Sequence, residues 1–335
     1  MCARRASIEE SLLSFQTEFN LNPSQPLFKI TYKSSPIWPI SPISDHRKIT
    51  RIAILDSSFN PPTNAHYQLI VRSVTNIFFQ NGKSIIIQTP ERQQQIKEQG
   101  LEFFDSCLLL YATKNADKIL SSSDVSHVDR LLMMETLASH IQSTTPSDTH
   151  YTALKNLAVG VVTHPRFIDK AHGILSLLHS LSNSSFSFSN NTSRQFSLYF
   201  IMGYDTVIRL FNPQYYTNMR EELAPFFETN YIICANREGY DEEEAEEQFY
   251  QSDIVREIIG REEEKIIRIK LDNEIAKISS TKVRDIIRNE LKIKNKENTE
   301  EQNKIQNVLL ELCPKPIFEF VIQKDLYRKV SVKNI

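Results

Sequence analysis

Six short apolar runs recur along the chain, at 52–55, 107–112, 157–162, 198–202, 231–235 and 266–269. They are continuous and do not alternate with polar residues, which is the pattern of strands buried on both faces. Helical patterns separate them at 66–79, 129–142, 169–181 and 219–227. Strands that alternate with helices are joined by right-handed crossovers. The fold class predicted is therefore α/β, a doubly wound and mostly parallel sheet with a helical C-terminal end. In such a sheet ligands lie beyond the carboxyl ends of the strands, so the residues that follow each run are the places to look for chemistry.

The rhythm also divides the chain. Residues 1–48 read as an extension: one amphipathic helix near 8–19, then a segment punctuated by Pro23, Pro26, Pro36, Pro39 and Pro42, packed on the domain with Phe28 and Trp38 as anchors. Residues 49–328 form the domain, and 329–335 are a tail. Residues 80–100 are an insertion, with a short strand over 85–87 and a polar helix. Residues 182–194 are a low-complexity insertion that reads as a loop. The acidic run at 241–247 reads as a solvated helix start and not a metal site, and the charged stretch at 289–305 as a link to the last helices.

Composition narrows the function. With 39 Lys+Arg against 41 Asp+Glu the formal charge is −2, whereas a general nucleic-acid binder shows a basic surplus or stripe. No nucleic-acid partner is expected. The apolar runs fall far short of a membrane span. A secretory signal is not expected either, since Arg4 and Arg5 are followed by Glu9 and Glu10. Cys2, Cys107, Cys234 and Cys313 are too scattered for metal or redox spacing, so the expected compartment is reducing, cytosol or nucleus. Oligomeric state has no signature in the sequence.

Only seven glycines occur in 335 residues, less than a third of the average usage of about 7 per cent. No G-x-G-x-x-G and no G-x-x-x-x-G-K is present, so the usual dinucleotide and P-loop fingerprints are absent. A nucleotide loop here must be built from other residues.

Two segments supply them. The first run ends in Asp56-Ser57-Ser58-Phe59-Asn60-Pro61-Pro62-Thr63-Asn64-Ala65-His66. Pro61 and Pro62 stop the strand, and Thr63 or Asn64 is a natural helix cap. His66 then falls in the first helical turn, where opening N–H groups and the helix dipole favour an anion. A bare strand-to-helix turn with a surface histidine is the plainer alternative. The second segment, Ile278-Ser279-Ser280-Thr281-Lys282-Val283-Arg284, opens a helix with three hydroxyls and places Arg284 four residues after Ser280. Hydroxyls, N–H groups and a guanidinium fork suit a polyphosphate; a well-capped helix with an exposed arginine is the alternative.

Taken together, the strings Ser-Phe-Asn-Pro-x-Thr-x-x-His and Ile-Ser-Ser-Thr-x-x-Arg resemble those of the nicotinamide/nicotinate mononucleotide adenylyltransferases of the nucleotidyltransferase superfamily. The resemblance runs from residue 51 to about 328 and includes the ending Leu312-Cys313-Pro314 and Asp325-Leu326-Tyr327. It is closest to the fungal branch, through Ala-Thr-x-Asn-Ala-Asp-Lys at 112–118.

This resemblance implies a Rossmann-like nucleotidyltransferase fold and a set of roles. Ser57, Ser58 and Phe59 would bring backbone to the phosphates, Thr63 would open the histidine motif, and His66 would contact the α-phosphate of ATP. Lys118 would hold the mononucleotide phosphate. Gly203 and Asp205 would lie beside the ribose, and Asn236 and Arg237 near the adenine. Ser280, Thr281 and Arg284 would take the β- and γ-phosphates. Asp129-Arg130, opening a helix, matches a structural pattern. Mg²⁺ would arrive on ATP.

Two departures matter. Serine stands at position 57 where the family usually has glycine, since backbone must approach phosphate closely; a serine can still offer its N–H. The nicotinamide ring is normally stacked on tryptophan, but Trp38 is the chain's one tryptophan and lies outside the resemblance. His164 and Phe167 are the substitutes, with a core role open for Phe167. The implied reaction joins nicotinamide mononucleotide to the adenylyl group of ATP, with the acceptor phosphate as nucleophile. Catalysis is then positioning and charge stabilisation by His66, Arg284, backbone N–H groups and Mg²⁺. Rival readings are a sister enzyme that uses nicotinate mononucleotide or pantetheine phosphate, and a nucleotide-binding regulatory protein or slow ATPase.

Overall fold

The computed structural model describes residues 2–41, 48–87, 100–113, 125–148, 151–185, 194–236, 243–260, 265–290 and 299–327. Helix α1 (Cys2–Leu21) opens the chain and is followed by strand β1 (Phe28–Lys33). Then come β2 (Ile49–Asp56), α2 (Asn64–Asn76), the hairpin β3 (Ile77–Gln80) and β4 (Lys83–Ile86), and β5 (Ser106–Ala112). Helices α3 (His127–Thr144) and α4 (Thr152–Lys155) lead to β6 (Leu157–Val162). Helix α5 (Phe167–Ser185) and β7 (Gln195–Gly203) precede α6 (Tyr204–Leu210) and α7 (Met219–Thr229). Strand β8 (Asn230–Ala235), α8 (Glu243–Gln251), α9 (Asp253–Ile259) and β9 (Ile266–Ile269) follow. The last elements are α10 (Asn273–Ala276), α11 (Ser280–Glu290), α12 (Thr299–Leu312) and α13 (Lys315–Gln323).

The seven-stranded sheet has the order β1-β6-β5-β2-β7-β8-β9. All its pairings are parallel except β1 with β6. From β2 the chain winds out through β5 to β6 on one side, then through β7 and β8 to β9 on the other. That is the doubly wound order, with its switch point beside β2, and a ligand crevice opens where the order reverses. The strands are apolar on both sides because both faces are covered. Ala53, Leu55, Leu109 and Ile201 face a layer that includes α2, α3, α11, α12 and α13. Ile52, Ile54, Leu108 and Phe200 face α5, α6, α7 and α9.

The extension is built into this sheet. β1 adds an antiparallel edge to β6, and the Phe28 ring lies where a Cβ on Gly160 would approach to 2.4 Å, so only glycine fits beneath it. Trp38 is buried and its indole N–H donates to Cys107 O at 3.0 Å. α1 buries Ile8, Phe15 and Phe19, and its Arg5 pairs with Asp129 of α3 at 2.6 Å.

The helix expected to run to residue 79 ends at Asn76, and Ile77, Phe78 and Phe79 pair with β4 instead. Asn81 and Gly82 both take positive φ, 53° and 82°, the geometry of a two-residue hairpin turn for which Asn-Gly is the strongest sequence signal. The strand expected at 85–87 therefore begins at Lys83. The polar helix expected in the rest of that insertion, most of the 182–194 segment, part of the charged link and the tail lie outside the described residues. Among the described residues no helix is long and apolar enough to cross a membrane.

Candidate active site

Register places the carboxyl ends of the parallel strands along one edge. Asp56 pairs with Leu110 and Leu55 with Ile201, while Ala112 meets Val162 and Gly203 meets Ala235. The loop 57–63 leaves the central strand at this edge and enters α2.

That loop is held through its carbonyls. Arg130, buried and bonded to Val125 O, donates to Ser58 O at 3.4 Å. Arg284 Nη1 donates to Asn60 O at 2.6 Å and Ser280 Oγ to Pro61 O at 2.8 Å. Cys313 Sγ donates to Pro62 O at 3.4 Å, and Tyr327 OH to Asn60 Oδ1 at 2.8 Å. In a trans peptide the N–H points opposite to the carbonyl. The Phe59 N–H is therefore directed away from Arg130, and the positive φ of Phe59, 45°, sets the bend; but Phe59, expected to bring backbone to the phosphates, is fully buried with its ring against His66. The two segments singled out in the sequence, more than two hundred residues apart, thus meet at Asn60 and Pro61.

At the α2 start, the Thr63 N–H donates to His66 Nδ1 at 3.0 Å, and Thr63 Oγ1 lies 2.8 Å from the same nitrogen. Thr63 and His66 form a capping box, in which the His66 backbone N–H donates to the Thr63 side chain and the Thr63 N–H to the His66 ring. On the other side of the ring His66 Nε2 is 2.8 Å from Ser57 Oγ, and the Phe59 ring packs at 5.1 Å. Asn64 Nδ2 donates to Leu310 O and Glu311 O at 3.2 and 2.8 Å, locking α2 to α12. At the α11 start Ser279 Oγ accepts from Lys282 N at 3.2 Å, and Arg284 Nη2 donates to Thr281 Oγ1 at 3.0 Å. Two helix N-termini thus converge on one loop, and both favour negative charge there.

The N–H expected at Ser57 is not offered to a ligand. It donates to Leu110 O at 3.2 Å, because the β2–β5 ladder continues one residue past the strand. Ser57 presents its hydroxyl instead.

The remaining expected residues spread along the same edge. Gly203 ends β7 and caps α6, with Asp205 in its first turn. His164 lies just past β6; its Nδ1 is 2.8 Å from Thr163 Oγ1 and its ring edge meets Phe19 of α1 at 5.8 Å. Phe167 opens α5, packs edge-on against Phe200 at 5.6 Å and lies under Lys170 at 4.5 Å. Asn236 spends its amide on the backbone: Nδ2 donates to Leu271 O at 3.2 Å and Oδ1 accepts from Leu271 N at 2.7 Å, tying the ends of β8 and β9 together. Lys118 and Arg237 lie outside the described residues. Trp38 is bonded at the second residue of β5, the opposite end of the strand from this edge.

Sequence reading missed a buried ion pair beside the loop. Lys170 of α5 pairs with Asp56, the last residue of β2, with side chains 6% and 9% exposed. Nothing in the sequence links residues 114 apart. Next to the loop, burial and then the Arg130 guanidinium hold His127 below the usual imidazole range. Its Nδ1 is 2.7 Å from the Tyr111 hydroxyl, so a neutral His127 supports that wall.

No family model matches the chain. A curated protein of Schizosaccharomyces pombe, described as "Putative nicotinamide mononucleotide adenylyltransferase", is 29% identical over 189 residues, covering 56% of this chain. The chain spans about half the length of that relative, 53%. Among solved structures, the Plasmodium falciparum nicotinic acid mononucleotide adenylyltransferase complexed with NaAD is similar at a TM-score of 0.45 and 15% identity, over 83% of this chain and 97% of that one. The same enzyme complexed with APC is similar at 0.42 and 14%, over 83% and 97%. In sequence, the chain is thus similar over about half its length to a protein described as a mononucleotide adenylyltransferase.

Proposed function

We propose that this chain transfers the adenylyl group of ATP to nicotinamide mononucleotide, forming NAD and releasing pyrophosphate. The observation that carries the reading is the junction of the two motifs, with Ser280 and Arg284 bonded to the carbonyls of Pro61 and Asn60 at the mouth of the central strand. A guanidinium carries five donors, so the bonds to Asn60 and Thr281 aim the fork without exhausting it. An oxygen of the acceptor phosphate attacks the α-phosphorus, the bond to the bridging oxygen of pyrophosphate breaks, and no bond to the protein forms. The Ser57–His66 pair and the α2 start stabilise charge at the α-phosphate. Arg284 and the α11 start do so at the leaving group, and Mg²⁺ enters with the triphosphate as part of the substrate.

The neutral carboxamide acceptor is favoured over the carboxylate by the wall it would meet. Asp205 lies on that edge, while the nearby cations are engaged: Lys170 with Asp56, and Arg166 with Asp169 and Glu222 at 2.9 and 2.7 Å. Among the described residues, these two cations already hold carboxylates, so a nicotinate carboxylate on this edge would have to draw one away from an existing pair. In steady-state assays with either acceptor, kcat/KM is expected to favour nicotinamide mononucleotide by about tenfold or more, roughly 1.4 kcal/mol. Preference for nicotinate mononucleotide would overturn this choice of acceptor.

A further inference from the structure

The geometry points to Ser57 as the residue that both positions His66 and supplies the hydroxyl donor to the nucleotide, an inference that rests on the reading of the site just given. The first step is the tautomer of His66. The Thr63 backbone N–H is directed at Nδ1, and a backbone N–H only donates; with a lone pair on Nδ1 the Thr63 hydroxyl 2.8 Å away donates to it as well, which in the uncharged imidazole leaves the ring proton on Nε2. Nε2 lies 2.8 Å from Ser57 Oγ; that N–H therefore donates and the serine oxygen accepts. A hydroxyl that accepts from an N–H must turn its own proton elsewhere. Ser57 is half-buried and followed by the exposed Ser58 at the ligand edge of the sheet, and its own N–H is engaged with Leu110 O. The remaining group is the Oγ–H, at the mouth of the crevice.

The donor chain is then Thr63 N–H to His66 Nδ1, His66 Nε2–H to Ser57 Oγ, and Ser57 Oγ–H to an oxygen of the ligand. Each member polarises the next. With glycine at position 57, His66 Nε2–H would itself face the crevice; serine extends the reach of the imidazole by one hydroxyl. His66 cannot swing forward without breaking its bonds on both sides, and Phe59 packs against its ring. Ser57 forms no covalent bond in this scheme and transfers no proton; it delivers a hydrogen bond aimed by His66.

The test compares Ser57→Gly, Ser57→Ala and Ser57→Thr in the full chain, by steady-state kinetics and by ¹⁵N NMR of the His66 ring. Gly and Ala are expected to lower kcat by about tenfold, the loss of one aimed hydrogen bond, with KM for ATP changed by less than about twofold. Thr retains the hydroxyl and should keep kcat near the wild-type value. In the wild type the His66 ring should carry its proton on Nε2, and MgATP should shift that resonance far more than it does in Ser57→Gly. Undiminished kcat in Ser57→Gly, or a wild-type ring protonated on Nδ1, would overturn the proposal. Should the wild type form no dinucleotide, the functional reading falls while the NMR still decides. A MgATP shift that depends on Ser57 then supports the contact, and an equal shift in Ser57→Gly refutes it.

Discussion

Replacing His66 with alanine is expected to lower kcat by about 10²–10³-fold, roughly 2.7–4 kcal/mol of transition-state stabilisation, because it removes both the group that aims the Ser57 hydroxyl and the imidazole N–H that would stand in for that hydroxyl. ATP binding should fall far less, since Arg284 and the helix starts remain. Stability separates the two roles of this side chain. A histidine in the first helical turn that faces ligand predicts almost no loss of stability, but Thr63 is fully buried and its N–H donates to His66 Nδ1. Alanine leaves that donor unpaired, at a cost of about 1–3 kcal/mol. Glutamine at the third helical position completes a Thr-x-x-Gln capping box. His66→Gln should therefore restore most of the melting temperature and none of the turnover. A His66→Gln variant that turns over at the wild-type rate would make His66 a capping residue and nothing more.

Lys170→Ala should be the most destabilising single change near the site. Asp56 and Lys170 are buried together at the end of β2, and removing one partner leaves a charge with neither water nor counter-ion. Breaking such a pair costs about 3–5 kcal/mol, whereas replacing both members by apolar residues of similar volume is often neutral or stabilising. Urea denaturation should show that loss for Lys170→Ala and near-full recovery in Asp56→Leu/Lys170→Met. Because Asp56 immediately precedes Ser57, the recovered double variant also reports whether the loop needs the pair. A loss below about 1 kcal/mol for Lys170→Ala would mean that water reaches Asp56.

How much could be read from residues alone varied with the range of the interaction. The six parallel strands were readable because strands covered on both faces must be apolar throughout, and this pattern is local. β1 was not, because Pro23, Pro26 and Pro36 mask a strand whose pairing with β6 is set by the Phe28 ring over Gly160. The β3–β4 hairpin was readable in principle from Asn81-Gly82, but the apolar residues 77–79 also continue a helical stripe, and pairing decided between them. At the site, Thr63 and His66 were legible as a cap and a first-turn residue because both are local consequences of the chain leaving a strand. The bond from His66 to Ser57 was not, since it depends on the turn through Pro61 and Pro62 bringing residue 57 back over the ring. The same holds for Asp56 with Lys170 and for Tyr327 on Asn60, which are contacts of the tertiary fold.

The central claim is that the phosphate motifs serve adenylyl transfer and not hydrolysis. The most direct measurement follows the label when the protein is given MgATP and nicotinamide mononucleotide, with ³²P placed at either the α- or the γ-phosphorus. Transfer predicts that α-label appears in NAD and γ-label in pyrophosphate, in equal amounts and only when the acceptor is present. If α-label remains in ADP and γ-label leaves as orthophosphate, with or without acceptor, the protein is an ATPase and the account is wrong.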